Sequence, residues 1–137
     1  MSTTIRPEIS IKNHYWIERH RYYELKHFCL QYPTWKKACA GLDGLARQGT
    51  DVRRPSGESS DPTAKAAEAR EWYLDRMSIV ENAAMETDTV MFPYILKGVT
   101  EGCSYDHLRT KHNIPCGKDM YYDLYRRFFW LLSKERQ

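Results

Sequence analysis

The residues best equipped for chemistry in this 137-residue chain lie near its end. Cys103, His107, His112 and Cys116 follow one another as C-x3-H-x4-H-x3-C, four donors of the kind that hold zinc. Their spacing argues against that use. His107 and His112 are five residues apart in a stretch that reads as helix, so they are expected to point away from each other, and zinc modules usually separate two close ligand pairs by a loop or strand. His14, His20 and His27 sit in a basic, aromatic stretch with no carboxylate pattern around them. There is no phosphate-binding loop, GxGxxG or nucleophile elbow, and no two carboxylates are placed to divide acid and base roles. The expectation is a protein with no metal, no cofactor and no enzymatic activity.

A different chemistry follows directly. On a helix over residues 118–134, Lys118, Asp119, Tyr122, Asp123 and Arg126 share one face, while Met120, Leu124, Phe128 and Leu131, flanked by Tyr121 and Leu132, form the expected core stripe. Arg126 can grip guanine with two parallel hydrogen bonds, and Lys118 can do so less rigidly. Asp119 can accept from cytosine or orient a basic neighbour. These groups suit the base edges of double-stranded DNA; the competing reading is a solvated amphipathic helix with an ordinary charged face.

The elements that must position that face are legible around it. Residues 91–137 read as a short helix, a break at Glu101-Gly102, a second helix from Tyr105, a turn over residues 113–117 and a long closing helix. Ser104 can cap the second helix and Asp106 sits in its first turn, where a carboxylate favours the positive end of the dipole. Pro115 pushes Ile114 out of the helical region, and Gly117 can take a backbone conformation closed to most residues. This order of elements is a helix-turn-helix, whose second paired helix lies in a major groove.

The remainder reads as helical support. Residues 1–12 have little pattern and form an arm. Asn13 is placed to cap a helix to about residue 31, with Trp16, Tyr23, His27 and Leu30 on its apolar flank beside Leu25 and Phe28. After a break at Tyr32-Pro33, Thr34 caps a short helix from Trp35 to about Leu42, ended by Gly41 and Gly44. Residues 45–60 lose all period and read as a flexible linker. Asp61 and Pro62 open a long helix to about Met85, whose core stripe is Ala66, Ala69, Tyr73, Met77, Val80 and Ala84. The fold class is all-α, divided as an aromatic helical hairpin (1–44), a linker (45–60) and a long helix plus helix-turn-helix domain (61–137).

Charge supports this division. The net charge of +3 resides beyond residue 96, with eight Lys and Arg against five Asp and Glu, while residues 1–96 hold 13 of each. Residues 11–42 are basic, six against two, and residues 61–88 acidic, three against seven, so the two stretches are expected to pair. No apolar run is long enough to cross a bilayer and no secretory signal is visible, so a membrane partner is not expected, and Cys29, Cys39, Cys103 and Cys116 read as reduced thiols in a cytoplasm.

Tyr23 to Trp35 (YELKHFCLQYPTW), the Asp61-Pro62-Thr63-Ala64 helix start and above all EGCSYDHLRTKHNIPCGKDMYYDLYRRFFWLL together resemble the RinA and ArpU type of phage late-gene regulators, whose C-terminal part is similar to the promoter-reading domain of sigma factors. The resemblance implies a phage or prophage regulator in a bacterial host cell, acting on duplex DNA and positioning RNA polymerase. It implies Lys118, Asp119, Tyr122 and Arg126 as readers, with Arg109, Lys111 and Arg127 also in contact with DNA, Arg109 and Arg127 near phosphate. The Phe128-Phe129-Trp130 end departs from an ordinary sigma-like tail. Phe129 and Trp130 are expected on the outer side of the closing helix, where they either join two copies through Tyr15 and Tyr22 in a homodimer or are buried by the first helix within one chain. A small-terminase-like packaging protein and a protein-binding adaptor are the alternatives.

Overall fold

A computed structural model describes residues 14–48 and 62–136, which form six helices and, among the described residues, no strand. They are α1 (Arg19–Leu30), α2 (Tyr32–Gln48), α3 (Pro62–Thr87), α4 (Phe92–Glu101), α5 (Tyr105–His112) and α6 (Lys118–Glu135). The fold is all-α, as expected.

The N-terminal helices differ from the sequence reading in start, face and end. Glu18 caps α1, its carboxylate accepting the Arg21 amide at 3.1 Å, and the proposed cap Asn13 lies outside the described residues. The buried face is Tyr22, Leu25, Phe28 and Cys29, whereas Trp16, His27 and Leu30 are exposed. Tyr32-Pro33 does not break the chain. It opens α2, because a proline in the first helical turn removes an amide that has no intrahelical partner there. Helix α2 then continues through Gly41 and Gly44 to Gln48, taking the first four residues of the expected linker. Each interior glycine costs about 1 kcal/mol of helix propensity, an amount that packing along α3 can offset.

Helix α3 follows its expected stripe closely. Met77, Val80 and Ala84 are buried, joined by Ala83 and Thr87, and Ala66, Ala69 and Tyr73 are half-buried. The proposed cap Asp61 is outside the described residues. The expected charge pairing between residues 11–42 and 61–88 takes another form: Arg70 of α3 pairs with Asp43 of α2, and the Tyr32 hydroxyl donates to Glu81.

One core joins all six elements, through Tyr22, Trp35, Val80, Ile95, Leu108 and Phe128 among others. Helix α2 lies mainly along α3, while α1 lies across α4 and α6. The N-terminal hairpin therefore packs on the helix-turn-helix.

The center of α6 is aromatic on its buried side. The Tyr22 and Tyr125 hydroxyls hydrogen-bond at 2.7 Å, and the Tyr22 ring stands edge-on to Phe129 with centroids 5.1 Å apart. Tyr121 enters from the other direction and lies over Gly98 of α4. A Cβ added at Gly98 would sit 2.0 Å from the Tyr121 hydroxyl oxygen and 3.3 Å from the ring carbon bearing it. Burial, with Tyr122 nearby, raises the Tyr121 pKa and keeps that hydroxyl protonated; it has no hydrogen-bond partner among the described residues.

Gly98→Ala should therefore cost about 1 to 3 kcal/mol of stability through overpacking. Adding Tyr121→Phe removes the atom responsible and should recover much of that loss, giving a double-mutant cycle with a favourable coupling. Denaturant unfolding of the four proteins checks this; strictly additive effects would show that the hydroxyl does not occupy the space that glycine leaves.

Candidate nucleic-acid interface

Helix α4 ends at Gly102, whose φ of +69° is the left-handed conformation that reverses the chain. Ser104 then caps α5, its hydroxyl accepting the His107 amide at 3.2 Å, as its position suggested. At the other end, the left-handed residue is Asn113, with φ of +52°, and not Gly117, whose φ of −79° any residue can adopt. Asparagine tolerates that conformation better than most side chains. It lets the Ile114 amide reach back to the Leu108 carbonyl at 3.3 Å, while the Ile114 side chain enters the core.

Two tyrosines then fix α5 on α6. The Tyr105 hydroxyl donates to the Cys116 carbonyl at 2.7 Å, pinning the turn. The Tyr122 hydroxyl accepts the Tyr105 amide at 3.4 Å, holding the start of α5. This corrects the placement of Tyr122, which is 9% exposed and belongs to the core. Met120 makes the opposite exchange: expected inside, it is 51% exposed. The buried face of α6 is Tyr121, Tyr122, Tyr125, Phe128, Phe129 and Leu132, turned from the expected stripe because the large rings occupy the space facing α1 and α4.

Arg109, Lys111, Lys118, Asp119 and Asp123 are exposed. Arg126 is half-buried, with Nη1 3.9 Å from an Asp123 carboxylate oxygen, so the long helix shows a charge-balanced surface of Lys118 and Arg126 against Asp119 and Asp123. Arg109 and Lys111 supply a further positive pair on α5. Arg127 departs from this group. Its Nη2 approaches the Glu86 carbonyl at 3.5 Å and its Nε is buried without a partner among the described residues, so it tethers α6 to the end of α3.

The His107 and His112 rings do not point apart: their centroids are 5.6 Å from each other, edge to face. Among the described residues no group of three or more His, Cys, Asp or Glu side chains is arranged to hold a metal ion. Burial, followed by Glu101 for Cys103 and Asp88 for Cys116, raises both thiol pKa values and disfavours the thiolates a soft metal would need.

The patch considered as a dimer surface is internal. Phe129 is buried against Tyr22 and Tyr125, and Trp130 packs with His14 and Tyr15 at centroid distances of 5.6 and 5.4 Å. Both rings thus have partners within one chain, Phe129 from α1 and Trp130 from the segment that precedes it.

Comparison with protein-family models, with characterised proteins and with solved structures gives no match. Among the described residues, no helix is long and apolar enough to cross a membrane.

Arg126 and Arg127 should therefore separate by assay. Arg127→Ala should lower the stability of the free protein by about 1 kcal/mol through lost packing, whereas Arg126→Ala should leave thermal unfolding unchanged within about 0.5 kcal/mol and cost about 1 to 3 kcal/mol in duplex binding with relaxed preference at one base pair. Equal effects of the two in both assays would remove the distinction.

Proposed function

We propose that this protein binds double-stranded DNA through α5 and α6, as a transcriptional regulator of the phage late-gene type. The observation that carries the reading is the α4–α5–α6 unit itself: a glycine-terminated helix, an eight-residue helix capped by Ser104, a five-residue turn and an 18-residue helix whose first half carries an exposed, charged face opposite its buried tyrosines. A helix of that kind, braced by a shorter helix across its base, is the arrangement that places side chains against base edges while the brace meets the backbone.

The readers are Lys118, Asp119 and Arg126, with Asp123 added because it is exposed and holds Arg126 in position. Arg109 and Lys111 provide backbone contacts. Tyr122 serves as a positioning residue for α5. Bacterial RNA polymerase remains the protein partner that a regulator of this kind would engage.

Gel-shift titration across salt concentrations tests the reading. Neutralising a handful of phosphates should give a slope of log affinity against log salt of about −3 to −6, each contact adding about −0.9. A slope near zero, or no binding at about 0.05 M salt, would favour a protein-binding role.

A further inference from the structure

The exposed stripe of α6 does not end at Arg126. Asp119, Asp123, Arg126, Trp130 and Lys134 recur at steps of three and four residues and so share one side of the helix. The stripe is acidic at its start and cationic toward its end. Trp130 is half-buried, with His14 and Tyr15 packed on it, and the Lys134 ammonium stands 3.4 Å from the indole ring centroid. Lys134 is exposed, and among the described residues no carboxylate forms an ion pair with it. A lysine on an open helix face samples many rotamers; here the face of the indole restrains the ammonium through cation–π attraction while leaving its donors free.

A straight helix whose N-terminal half lies in a major groove approaches the sugar-phosphate backbone at its C-terminal end, as the third helix of a homeodomain does. From Arg126 to Lys134 is eight residues, or about 12 Å of helix, comparable with the roughly 12 Å width of that groove. A reader near the groove floor and a cation near its wall are thus one span apart.

We infer that Lys134, held by Trp130, is a phosphate contact at the far end of α6. The inference rests on α6 being the recognition helix, and the occupant is the backbone of the same duplex. The contact carries no sequence information. It extends the footprint beyond the readers and gives the unusual aromatic end of α6 a role besides packing.

Affinity across a salt series, on one selected and one scrambled duplex, tests this with the wild type, Lys134→Ala, Lys134→Arg and Lys65→Ala. Lys65 is exposed on α3 and controls for net charge. Lys134→Ala should weaken binding to both duplexes alike, about five- to tenfold at about 0.1 M salt, and flatten the salt slope by about 0.9. Lys134→Arg should keep the wild-type slope, and Lys65→Ala should change neither quantity. If the wild type binds and Lys134→Ala keeps its slope, or Lys65→Ala loses as much, the phosphate contact is wrong while the DNA reading stands. A wild type that binds neither duplex removes both.

Discussion

Everything in this fold depends on how α6 is gripped along its aromatic side. Tyr22 reaches from α1 to hydrogen-bond Tyr125 and to press edge-on against Phe129, so the first described helix and the last share one seam of rings. Burying a hydroxyl is costly without a partner, and the two tyrosines solve that for each other at 2.7 Å. Arg21 adds a polar clasp at the seam's edge, donating to the Ser133 hydroxyl at 3.3 Å and the Ser133 carbonyl at 3.1 Å. With the inner side of α6 gripped along its length, from Tyr121 to Leu132, the helix is held rigidly with Lys118, Asp119 and Asp123 facing outward and α5 braced beside it. A reading helix needs that rigidity, because base discrimination depends on side chains placed with little freedom.

The same seam explains why the chain does not divide where its composition changes. Residues before and after the expected linker over 45–60 contribute to a single core. The N-terminal helices serve as the wall against which the helix-turn-helix is built, and substitutions in α1 should be felt at the far end of the chain. Tyr121 over Gly98 makes a similar close fit on the α4 side, where the absence of one methyl group lets its ring enter.

What was legible in the sequence was punctuation. Gly102, Ser104, the turn after His112 and Pro62 mark boundaries because each acts through local backbone chemistry, and the stripe of α3 was legible because small and apolar residues alternate cleanly with charge. The face of α6 was harder to read. Nine of the twelve positions from 121 to 132 are aromatic or leucine, four of them (Tyr122, Tyr125, Phe129 and Trp130) outside the expected stripe and its flank, so period alone does not choose the buried side. Packing decided: Tyr122, Tyr125 and Phe129 have partners on α5 and α1, whereas Met120 faces solvent. In α1 the same ambiguity turned the core toward Tyr22 and Cys29. Tyr32-Pro33 misled for a different reason, since a proline can open a helix as readily as it ends one. Of the candidate readers, charge and position identified Lys118, Asp119 and Arg126 as surface groups, but nothing in the sequence distinguished Arg127, whose tether to Glu86 is a tertiary contact.

If the exposed, charged face of α6 is the surface that meets DNA, binding will perturb the residues on that face. Amide chemical shifts of the isotope-labelled protein, followed during titration with a duplex selected from a random pool, test it most directly. Changes should concentrate on α5 and on Lys118, Asp119, Asp123 and Arg126, with the exposed side of α3 around Trp72 unmoved. Changes centred on α2 and α3, with α5 and the start of α6 silent, would contradict it.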